Sequence, residues 1–423
     1  MLAENTPRGV KDFSPAAAIS LKYVTGVIEE VFKRFGFYPL ETPALENISV
    51  LNAKAYGDEP SKEIFVMKDE QTGLRYDLTV PLARYVASNK DLVLPFKRYQ
   101  IGNTWRKDEP QKMRYREFLQ ADIDTVGSTE TESDAEIIAA GALSLEELGI
   151  RNYVIVVNSR ELLKQVILSF GVAPDKEVQV LRTLDKLQKL SRDGALKVLS
   201  EVVQDQVGEK ILSFVEQTGT NDEKLQKVVA NVAGAKDAVG KMQELLSILG
   251  IYKLSGKVVF DMALARGLDY YTGFVWEFVI EENGKRLPSI GGGGRYDSLI
   301  GIYTSRGIPA TGMTLGISRI FDILNSKDTK KTYAKAFIAY IGAQNRDYAI
   351  NAANTLRGNG VYVDLNTTAR NLSKQMEYAS SLGIERVIII GNKERESNKV
   401  KLRNMGSGEE ELITLQEAIE KLR

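Results

Sequence analysis

One segment limits the possible folds of this chain more than any other: residues 96–127, "FKRYQIGNTWRKDEPQKMRYREFLQADIDTVG". The segment is typical of a long β-hairpin whose turn, "KDEPQK", holds Pro110 and several charges. Pro110 cannot continue a strand ladder, because proline has no backbone N–H to donate. We therefore expect two antiparallel strands joined at this turn.

The second strand of the hairpin has an unusual face. If residues 114–124 form a strand, alternate side chains share a face. One face then carries, in order, Arg114, Arg116, Phe118, Gln120, Asp122 and Asp124. It changes from cationic through aromatic and amide to acidic over roughly 30 Å, which suits a ligand with phosphates at one end, a flat ring in the middle and a cation at the other. Arg106 on the partner strand adds a guanidinium, and two facing arginines can hold a phosphate. A solvated face with ordinary salt bridges fits the pattern equally well.

The absence of two residue types narrows the chemistry. The 423 residues include no histidine and no cysteine, and 56 Lys plus Arg balance 56 Asp plus Glu. Serine–histidine triads, thiol nucleophiles, zinc-protease motifs and disulfides are therefore excluded. Carboxylates, Arg, Lys, Tyr, backbone groups and Mg²⁺ remain, and they suit phosphoryl or nucleotidyl transfer, in which positioning and charge neutralisation dominate. Zero net charge argues against a protein that coats nucleic acid without specificity.

The length of the chain exceeds one ordinary core, so we expect two or three domains. Helical spacing of apolar residues predicts helices over 16–36 and 132–148. We predict a main domain over 1–325 interrupted by an all-helical insertion over 170–253, a linker over 326–332 and an α/β domain over 333–423. No run of about 18 apolar residues and no apolar signal core occur, so we expect no membrane span and a cytoplasmic protein.

Three further segments combine glycine with polar residues. "SIGGGGRYD" (289–297) lacks the context of a dinucleotide site, and a flexible hairpin turn is its favoured interpretation, although glycines also let backbone approach a ligand closely. "LARGLDYYTG" (264–273) places one Arg, one Asp and two Tyr between glycines, as if to hold a polar ligand. "TGMTLGISRIF" (311–321) predicts a strand, a glycine turn and a helix with Arg319 in its first turns. A cation there is disfavoured unless an anion lies opposite, and a plain surface arginine is the commoner explanation.

In order and spacing, these segments resemble the motifs of class II aminoacyl-tRNA synthetases, and specifically those of the histidyl-tRNA synthetase family. "GFYPLETPALE" resembles motif 1, "GNTWRKDEPQKMRYREFLQADID" motif 2 and "TGMTLGISRIF" motif 3. "LARGLDYYTG" and "SIGGGGRYD" resemble two histidine-specific signatures, and "LRYDLTVPLARY" (74–85) resembles the family's amino-group-binding segment. The resemblance implies an α+β catalytic domain, with an antiparallel sheet flanked by helices, an all-helical insertion and a C-terminal α/β anticodon-binding domain. It also implies a homodimer with Pro43 at the interface.

The resemblance further implies a reaction and roles for named residues. The family activates L-histidine with ATP and Mg²⁺ to histidyl-adenylate and pyrophosphate, and then transfers histidine to the 3′-terminal ribose of tRNA(His). Arg266 and Arg106 take the catalytic roles. The residues implied in ATP binding are Arg106, Asp108, Arg114, Phe118 and Arg319. Those implied in histidine binding are Asp77, Thr79, Gln120, Asp124, Arg266, Tyr270 and Tyr271.

Four positions depart from the family pattern. Asp108 stands where motif 2 commonly has Glu, and Asp77 and Asp124 stand where bacterial members commonly have Glu. Charge is kept, but each carboxylate reaches less far. Ser318 replaces the usual acid before the motif 3 arginine. If that acid orients the arginine in other members, another group must orient Arg319 here.

The main rival to a ligase is the regulatory paralogue of ATP phosphoribosyltransferase, a histidine-binding subunit without tRNA chemistry that typically lacks the C-terminal domain. Residues 333–423 are present here, and all four arginines of the implied site are intact, which favours the enzyme. A plain tRNA-binding protein and a class II synthetase for another amino acid also fit parts of the pattern. A synthetase for another amino acid would leave both histidine-type signatures without a role.

Overall fold

The computed structural model describes residues 5–52, 63–111, 113–187, 190–265, 270–282, 285–324 and 331–423. Its backbone contacts divide the chain into two compact units. The first unit comprises residues 1–11 and 23–324, and the second comprises residues 12–22 and 325–423.

The described strands are numbered along the chain: β1 Tyr38–Pro39, β2 Leu45–Asn47, β3 Thr72–Leu74, β4 Phe96–Trp105, β5 Glu117–Val126, β6 Tyr153–Ser159, β7 Val258–Phe260, β8 Phe274–Glu282, β9 Lys285–Arg286, β10 Gly291–Arg295, β11 Ala310–Gly316, β12 Ala336–Tyr340, β13 Val363–Leu365, β14 Arg386–Ile390, β15 Val400–Asn404 and β16 Glu410–Ile413. The described α-helices are α1 Pro15–Arg34, α2 Ile48–Leu51, α3 Thr79–Ser88, α4 Thr131–Glu147, α5 Arg160–Ser169, α6 Glu177–Leu187, α7 Arg192–Ser200, α8 Asp205–Val215, α9 Asn221–Asn231, α10 Lys236–Ile251, α11 Ile317–Leu324, α12 Arg346–Gly358, α13 Leu372–Ser381, α14 Asn392–Glu396 and α15 Leu415–Leu422.

The first unit is built on a mixed, mainly antiparallel sheet. Its strand order within the described residues is β1-β4-β5-β11-β10-β8-β6-β7, with β9 paired to β8. The pairs β1–β4 and β6–β7 run parallel, and the pairs from β4 through to β6 run antiparallel. The expected catalytic fold, an antiparallel sheet flanked by helices, is therefore confirmed.

The hairpin predicted over residues 96–127 is present. β4 and β5 pair antiparallel from Phe96↔Val126 to Trp105↔Glu117. The predicted strand start was wrong, since β5 begins at Glu117 and not at Arg114. The N–H of Arg116 donates to Gly9 O at 2.8 Å, while Arg114 forms a bridge with Gln111 inside the turn. The two arginines therefore belong to the turn.

The four-glycine segment is a strand, so the flexible-turn interpretation was wrong. β10 lies inside the sheet between β8 and β11, and all five of its residues are buried. A Cβ at Gly293 would overlap the carbonyl oxygen of Gly312 on the neighbouring strand. Glycine is required here because two backbones approach closely, and the ladders on both sides hold the strand in place.

Helices α5 to α10 occupy the described part of the chain between β6 and β7. Side-chain caps define where some of them begin. Ser191 Oγ accepts a hydrogen bond from Gly194 N at the start of α7, and Thr220 and Glu223 form a capping box at the start of α9. The all-helical character predicted for this stretch is present, while the boundaries of a separate insertion domain stay a prediction.

The second unit contains a five-stranded sheet in the order β13-β12-β14-β15-β16. β12, β13 and β14 are parallel and are connected by α12 and α13, and β15 and β16 add an antiparallel edge. Ile338, Leu356 and Ile388 are fully buried in its core. Within the described residues of either unit, no helix combines the length and apolar character needed to cross a membrane.

Candidate active site

A cavity of about 480 Å³ lies on the sheet of the first unit. It brings together every described residue that the sequence implied in ATP or histidine binding. These residues are Asp77, Thr79, Arg106, Asp108, Arg114, Phe118, Gln120, Asp124, Tyr270, Tyr271 and Arg319. Arg266 lies outside the described residues. Pro43 is exposed and does not line the cavity.

Alternate residues of neighbouring strands form the cavity floor. Gln120 and Asp124 are two strand repeats apart on β5, so their side chains share a face. Gly312 and Gly316 stand opposite them on β11. A Cβ at Gly312 would overlap Asp124 Oδ1, so glycine at this position leaves room for the carboxylate. The sequence correctly predicted the shared face, but the neighbouring strand decides which side chains fit on it.

Asp124 lies at the acidic end of the cavity, where it is 2% exposed. Its Oδ2 is 2.8 Å from Nη2 of Arg98, which is fully buried, and its Oδ1 accepts a hydrogen bond from the Tyr296 hydroxyl. Burial raises the pKa of Asp124, and the charge of Arg98 opposes that rise. The carboxylate is thus held from two sides while it remains on the cavity wall.

Asp122 is also buried beside Arg98 but does not line the cavity. Its Oδ1 accepts a hydrogen bond from Thr314 Oγ1 at 2.8 Å. Burial raises the pKa of Asp122 to about 8, against the opposing charge of Arg98. Two carboxyl groups thus lie near one buried guanidinium, and burial raises the pKa of both while the charge of Arg98 opposes the rise.

Three tyrosines pack against one another next to Asp124. The rings of Tyr270 and Tyr271 are 4.6 Å apart, and those of Tyr270 and Tyr296 meet edge to face at 5.7 Å. Burial raises the pKa values of Tyr270 and Tyr296 well above the usual range, so both hydroxyls stay protonated. Protonated hydroxyls can donate and accept, which a polar ring with one N–H and one bare nitrogen requires.

Three of the residues implied in histidine binding lie at the start of α3 and on β5: Asp77 precedes α3, Thr79 is its first residue, and Gln120 is on β5. Asp77 Oδ1 accepts a hydrogen bond from Val80 N at 3.0 Å, which fixes the carboxylate at the start of α3 beside Thr79. Gln120 Oε1 accepts a hydrogen bond from Thr104 Oγ1 at 2.9 Å. An amide oxygen has two lone pairs, so Gln120 retains acceptor capacity for an ammonium group.

The cationic end of the cavity is formed by arginines from the hairpin. The Arg106 guanidinium lies over the Phe118 ring, 5.3 Å from its centroid, while Arg106 Nε donates to Tyr76 O at 3.1 Å. Arg114 donates to Asp108 Oδ2 through Nε at 3.0 Å and through Nη2 at 2.5 Å. The Arg114 side chain is 47% exposed, so its ion pair with Asp108 contributes little to the free energy of unfolding.

Arg319 is oriented by backbone carbonyl groups. Its Nε donates to Met113 O at 3.3 Å, and its Nη1 donates to Ser289 O at 2.5 Å. Ser318, which replaces the usual acid, accepts a hydrogen bond from Leu119 N at 3.0 Å and so ties α11 to β5. Two backbone carbonyl groups therefore help to orient Arg319.

The sequence reasoning did not identify Arg98 or Tyr296 as parts of the site. The signal for Arg98 was available, because the hairpin register places it directly opposite Asp124. Tyr296 stands in the quoted segment "SIGGGGRYD", but its contact with Asp124 spans 172 residues of sequence and follows only from the sheet order.

Mg²⁺ fits the chemistry of the cavity wall. Within the described residues, no group of three or more acidic side chains is arranged to hold a metal ion by itself. Mg²⁺ commonly binds through one or two carboxylates together with substrate phosphates. Three carboxylates of the cavity have no implied role with histidine, namely Glu63, Asp108 and Glu277.

The fold and the site define a class II aminoacyl-tRNA synthetase catalytic domain: a mainly antiparallel sheet carries the segments that resemble motifs 2 and 3, and both segments line one cavity. Comparison with known proteins shows which family within this class matches the chain. The family model described as histidyl-tRNA synthetase matches residues 9–320, and the one described as anticodon binding domain matches residues 335–423.

Two curated relatives and one solved structure illustrate the similarity. The histidine–tRNA ligase of Aeropyrum pernix is 39% identical over 427 residues, which cover 98% of this chain and 96% of that protein. The histidine–tRNA ligase of Korarchaeum cryptofilum is 37% identical over 407 residues, covering 94% and 93%. The crystal structure of histidyl-tRNA synthetase from Nostoc sp. PCC 7120 is 28% identical, with a TM-score of 0.87 over 100% of both chains. The chain belongs to the histidyl-tRNA synthetase family.

Proposed function

We propose that the cavity binds L-histidine at its acidic end and ATP at its cationic end, and that the protein joins histidine to tRNA(His). One observation carries the proposal: residues from six separate segments of sequence line a single cavity that is acidic and tyrosine-rich at one end and arginine-rich at the other. Membership of the family makes ligation of histidine to tRNA the activity of the chain, and the roles of individual residues are our assignment.

At the histidine end, Asp124 accepts the imidazole N–H and Tyr271 serves the other ring nitrogen. Asp77, Thr79 and Gln120 accept hydrogen bonds from the α-ammonium group. Tyr270 completes the wall of this subsite. An apolar isostere of histidine would leave these buried polar groups without partners, and such sites discriminate by roughly 10⁴ or more.

At the ATP end, Phe118 stacks on adenine and Arg319 covers the opposite face and reaches the γ-phosphate. Arg106 binds the α-phosphate. Arg114 releases its ion pair with Asp108 and binds the γ-phosphate instead. The Arg106 guanidinium lies 5.3 Å from the centroid of the Phe118 ring. The residue that we assign to the α-phosphate therefore lies next to the residue that we assign to adenine.

Adenylation then needs no acid–base side chain. An oxygen of the histidine carboxylate attacks the α-phosphorus, the bond to the β-phosphate breaks, and pyrophosphate leaves. The five-coordinate transition state carries extra negative charge, which Arg106 and, by resemblance, Arg266 neutralise as permanently charged guanidiniums. Mg²⁺, held by one or two of Glu63, Asp108 and Glu277 with the phosphates, would share that neutralisation.

In the transfer step, a terminal ribose hydroxyl of tRNA(His) attacks the acyl carbon of the adenylate. The hydroxyl loses its proton to the adenylate phosphate, and AMP leaves. The α/β unit over residues 335–423 binds the anticodon arm, and the protein acts as a cytoplasmic homodimer with Pro43 at the interface. The exposure of Pro43 in the single chain is compatible with that role.

ATP–pyrophosphate exchange tests the assignment. Exchange should depend on L-histidine among the twenty amino acids, and Arg106→Ala and Arg266→Ala should each lower its rate by about 10². Arg286→Ala is the matched control, because Arg286 pairs with Asp261 outside the cavity. Histidine binding without any exchange would instead support the regulatory paralogue, and unaltered exchange in Arg266→Ala would remove the catalytic role of that residue.

A further inference from the structure

The segment of residues 7–11, "PRGVK", contacts both ATP-binding elements of the first unit, although it takes no part in the proposed chemistry. Lys11 Nζ lies 3.1 Å from Asp322 Oδ1 on α11 and 4.1 Å from the ring centroid of Tyr115 in the hairpin turn. The Tyr115 hydroxyl donates to Asp322 Oδ2 at 2.8 Å. Lys11, Tyr115 and Asp322 thus each contact the other two, and we call this set of contacts the triangle.

The same segment also holds the hairpin turn through its backbone. Gly9 O accepts a hydrogen bond from Arg116 N at 2.8 Å, and Arg116 Nε donates to Asp108 O at 2.9 Å. Asp108 in turn holds Arg114. The N-terminal segment is therefore connected by hydrogen bonds to the arginine that we assign to the γ-phosphate.

The triangle connects two elements that each carry one ATP-binding arginine. Arg114 directly precedes Tyr115, and Arg319 is three residues, or about one helical turn, before Asp322 on α11. A triphosphate that contacts both arginines requires a set spacing between the hairpin turn and α11. A tilt of either element of about 1 Å is enough to weaken binding by a large factor.

We propose that Lys11 is a positioning residue for the nucleotide: it sets the spacing of Arg114 and Arg319 by bridging Tyr115 and Asp322. The proposal rests on the proposed ATP site. Its contacts with described residues, Tyr115, Phe321 and Asp322, lie on the nucleotide side. Loss of Lys11 should therefore affect ATP much more than histidine.

The test is the variant Lys11→Met, which keeps the apolar stem and removes the charge. The Michaelis constant for ATP in histidine-dependent exchange should rise about tenfold. This is the combined effect of losing one part-exposed ion pair and the cation–π contacts with Tyr115 and Phe321. The Michaelis constant for histidine and the unfolding temperature should stay near those of the unsubstituted protein. Lys11→Arg should restore most of the ATP affinity, because it keeps a cation within reach of Asp322.

Lys97→Met is the matched control. Lys97 also pairs with a carboxylate, Glu136 at 2.8 Å, and lies 4.6 Å from the centroid of an aromatic ring, that of Phe37, but it does not line the cavity. The Lys97→Met variant should leave the Michaelis constant for ATP unchanged. A Lys11→Met protein with an unchanged constant for ATP, or with equal rises for ATP and histidine, would overturn the proposal. Absence of exchange in the unsubstituted protein would instead overturn the proposed function, so the two failures are distinguishable.

Discussion

The substitution Asp124→Asn tests the centre of the proposed histidine subsite. Asp124 and its partner Arg98 are almost completely buried, and their nearest atoms are 2.8 Å apart. The neutral amide removes the charge but keeps the shape. Two effects follow, one on binding and one on stability, and the structure separates them.

The effect on binding follows from the imidazole hydrogen bond. A hydrogen bond to a charged group contributes about 1.5–3 kcal/mol, so histidine affinity should fall by about 10- to 150-fold. The effect on stability follows from Arg98, which loses its anionic partner inside the protein. Breaking a buried ion pair in this way costs about 3–5 kcal/mol of the free energy of unfolding.

Calorimetric titration with L-histidine, well below the unfolding temperature of the variant, measures the first effect alone. The chain contains no histidine, so ¹⁵N-labelled ligand also supplies the only imidazole signals in an NMR spectrum of the complex. Those signals should report one protonated ring nitrogen hydrogen-bonded to a carboxylate in the unsubstituted protein and lose that bond in Asp124→Asn.

Asp134→Asn provides the matched control. Asp134 is fully buried and pairs with Arg295 at 2.5 Å, but it does not line the cavity. It should lower the unfolding temperature and leave histidine affinity unchanged. Histidine affinity that is equal in Asp124→Asn and the unsubstituted protein would refute the assignment of Asp124 to the imidazole.

Three further outcomes are expected. Burial raises the pKa of Asp122 from an ordinary 3.8 to about 8, so the free energy of unfolding of the unsubstituted protein should fall as pH rises between these two values. Asp122→Asn removes this titrating group and should make the fall smaller. Thermal melts of the unsubstituted protein and of Asp122→Asn from about pH 5 to 8 check this. Gly312→Ala should raise the Michaelis constant for histidine by about 10² or more, because the added Cβ would overlap Asp124 Oδ1. Histidine-dependent exchange kinetics measure this constant. An unchanged constant would contradict the close approach of Gly312 to Asp124 in the cavity floor. Binding of tRNA(His) should weaken steeply with salt despite zero net charge, and filter-binding from about 50 to 200 mM salt checks this, a flat profile being the contrary result.

Much of the fold was accessible from sequence patterns because those patterns are local. Helical spacing predicted α1 and α4, and the charged turn around Pro110 predicted the β4–β5 hairpin. Two-residue alternation predicted that Gln120 and Asp124 share a face. Each of these predictions depends on neighbours within a few residues, where backbone geometry alone relates side chains to one another.

The predictions that failed depend on neighbours distant in sequence. Composition favoured a flexible turn for four consecutive glycines, but they form a buried strand between β8 and β11. A Cβ at Gly291 or Gly293 would overlap β11, and a Cβ at Gly294 would overlap Phe274 O of β8 and the Tyr271 ring. The start of β5 was placed too early, because Gly9, over a hundred residues away, takes the hydrogen bond from Arg116.

The sequence by itself determined which side chains are available for catalysis and binding in this protein. It contains no imidazole and no thiol, and its arginines, carboxylates and tyrosines occur at spacings that match a known family. Only the tertiary structure decided how those groups combine. It placed Arg98 and Tyr296 beside Asp124 and gave Arg319 hydrogen bonds to two backbone carbonyl groups. The physical reason is that composition and local period are properties of the chain, whereas burial, charge pairing and the room left by a missing Cβ exist only once distant strands lie side by side.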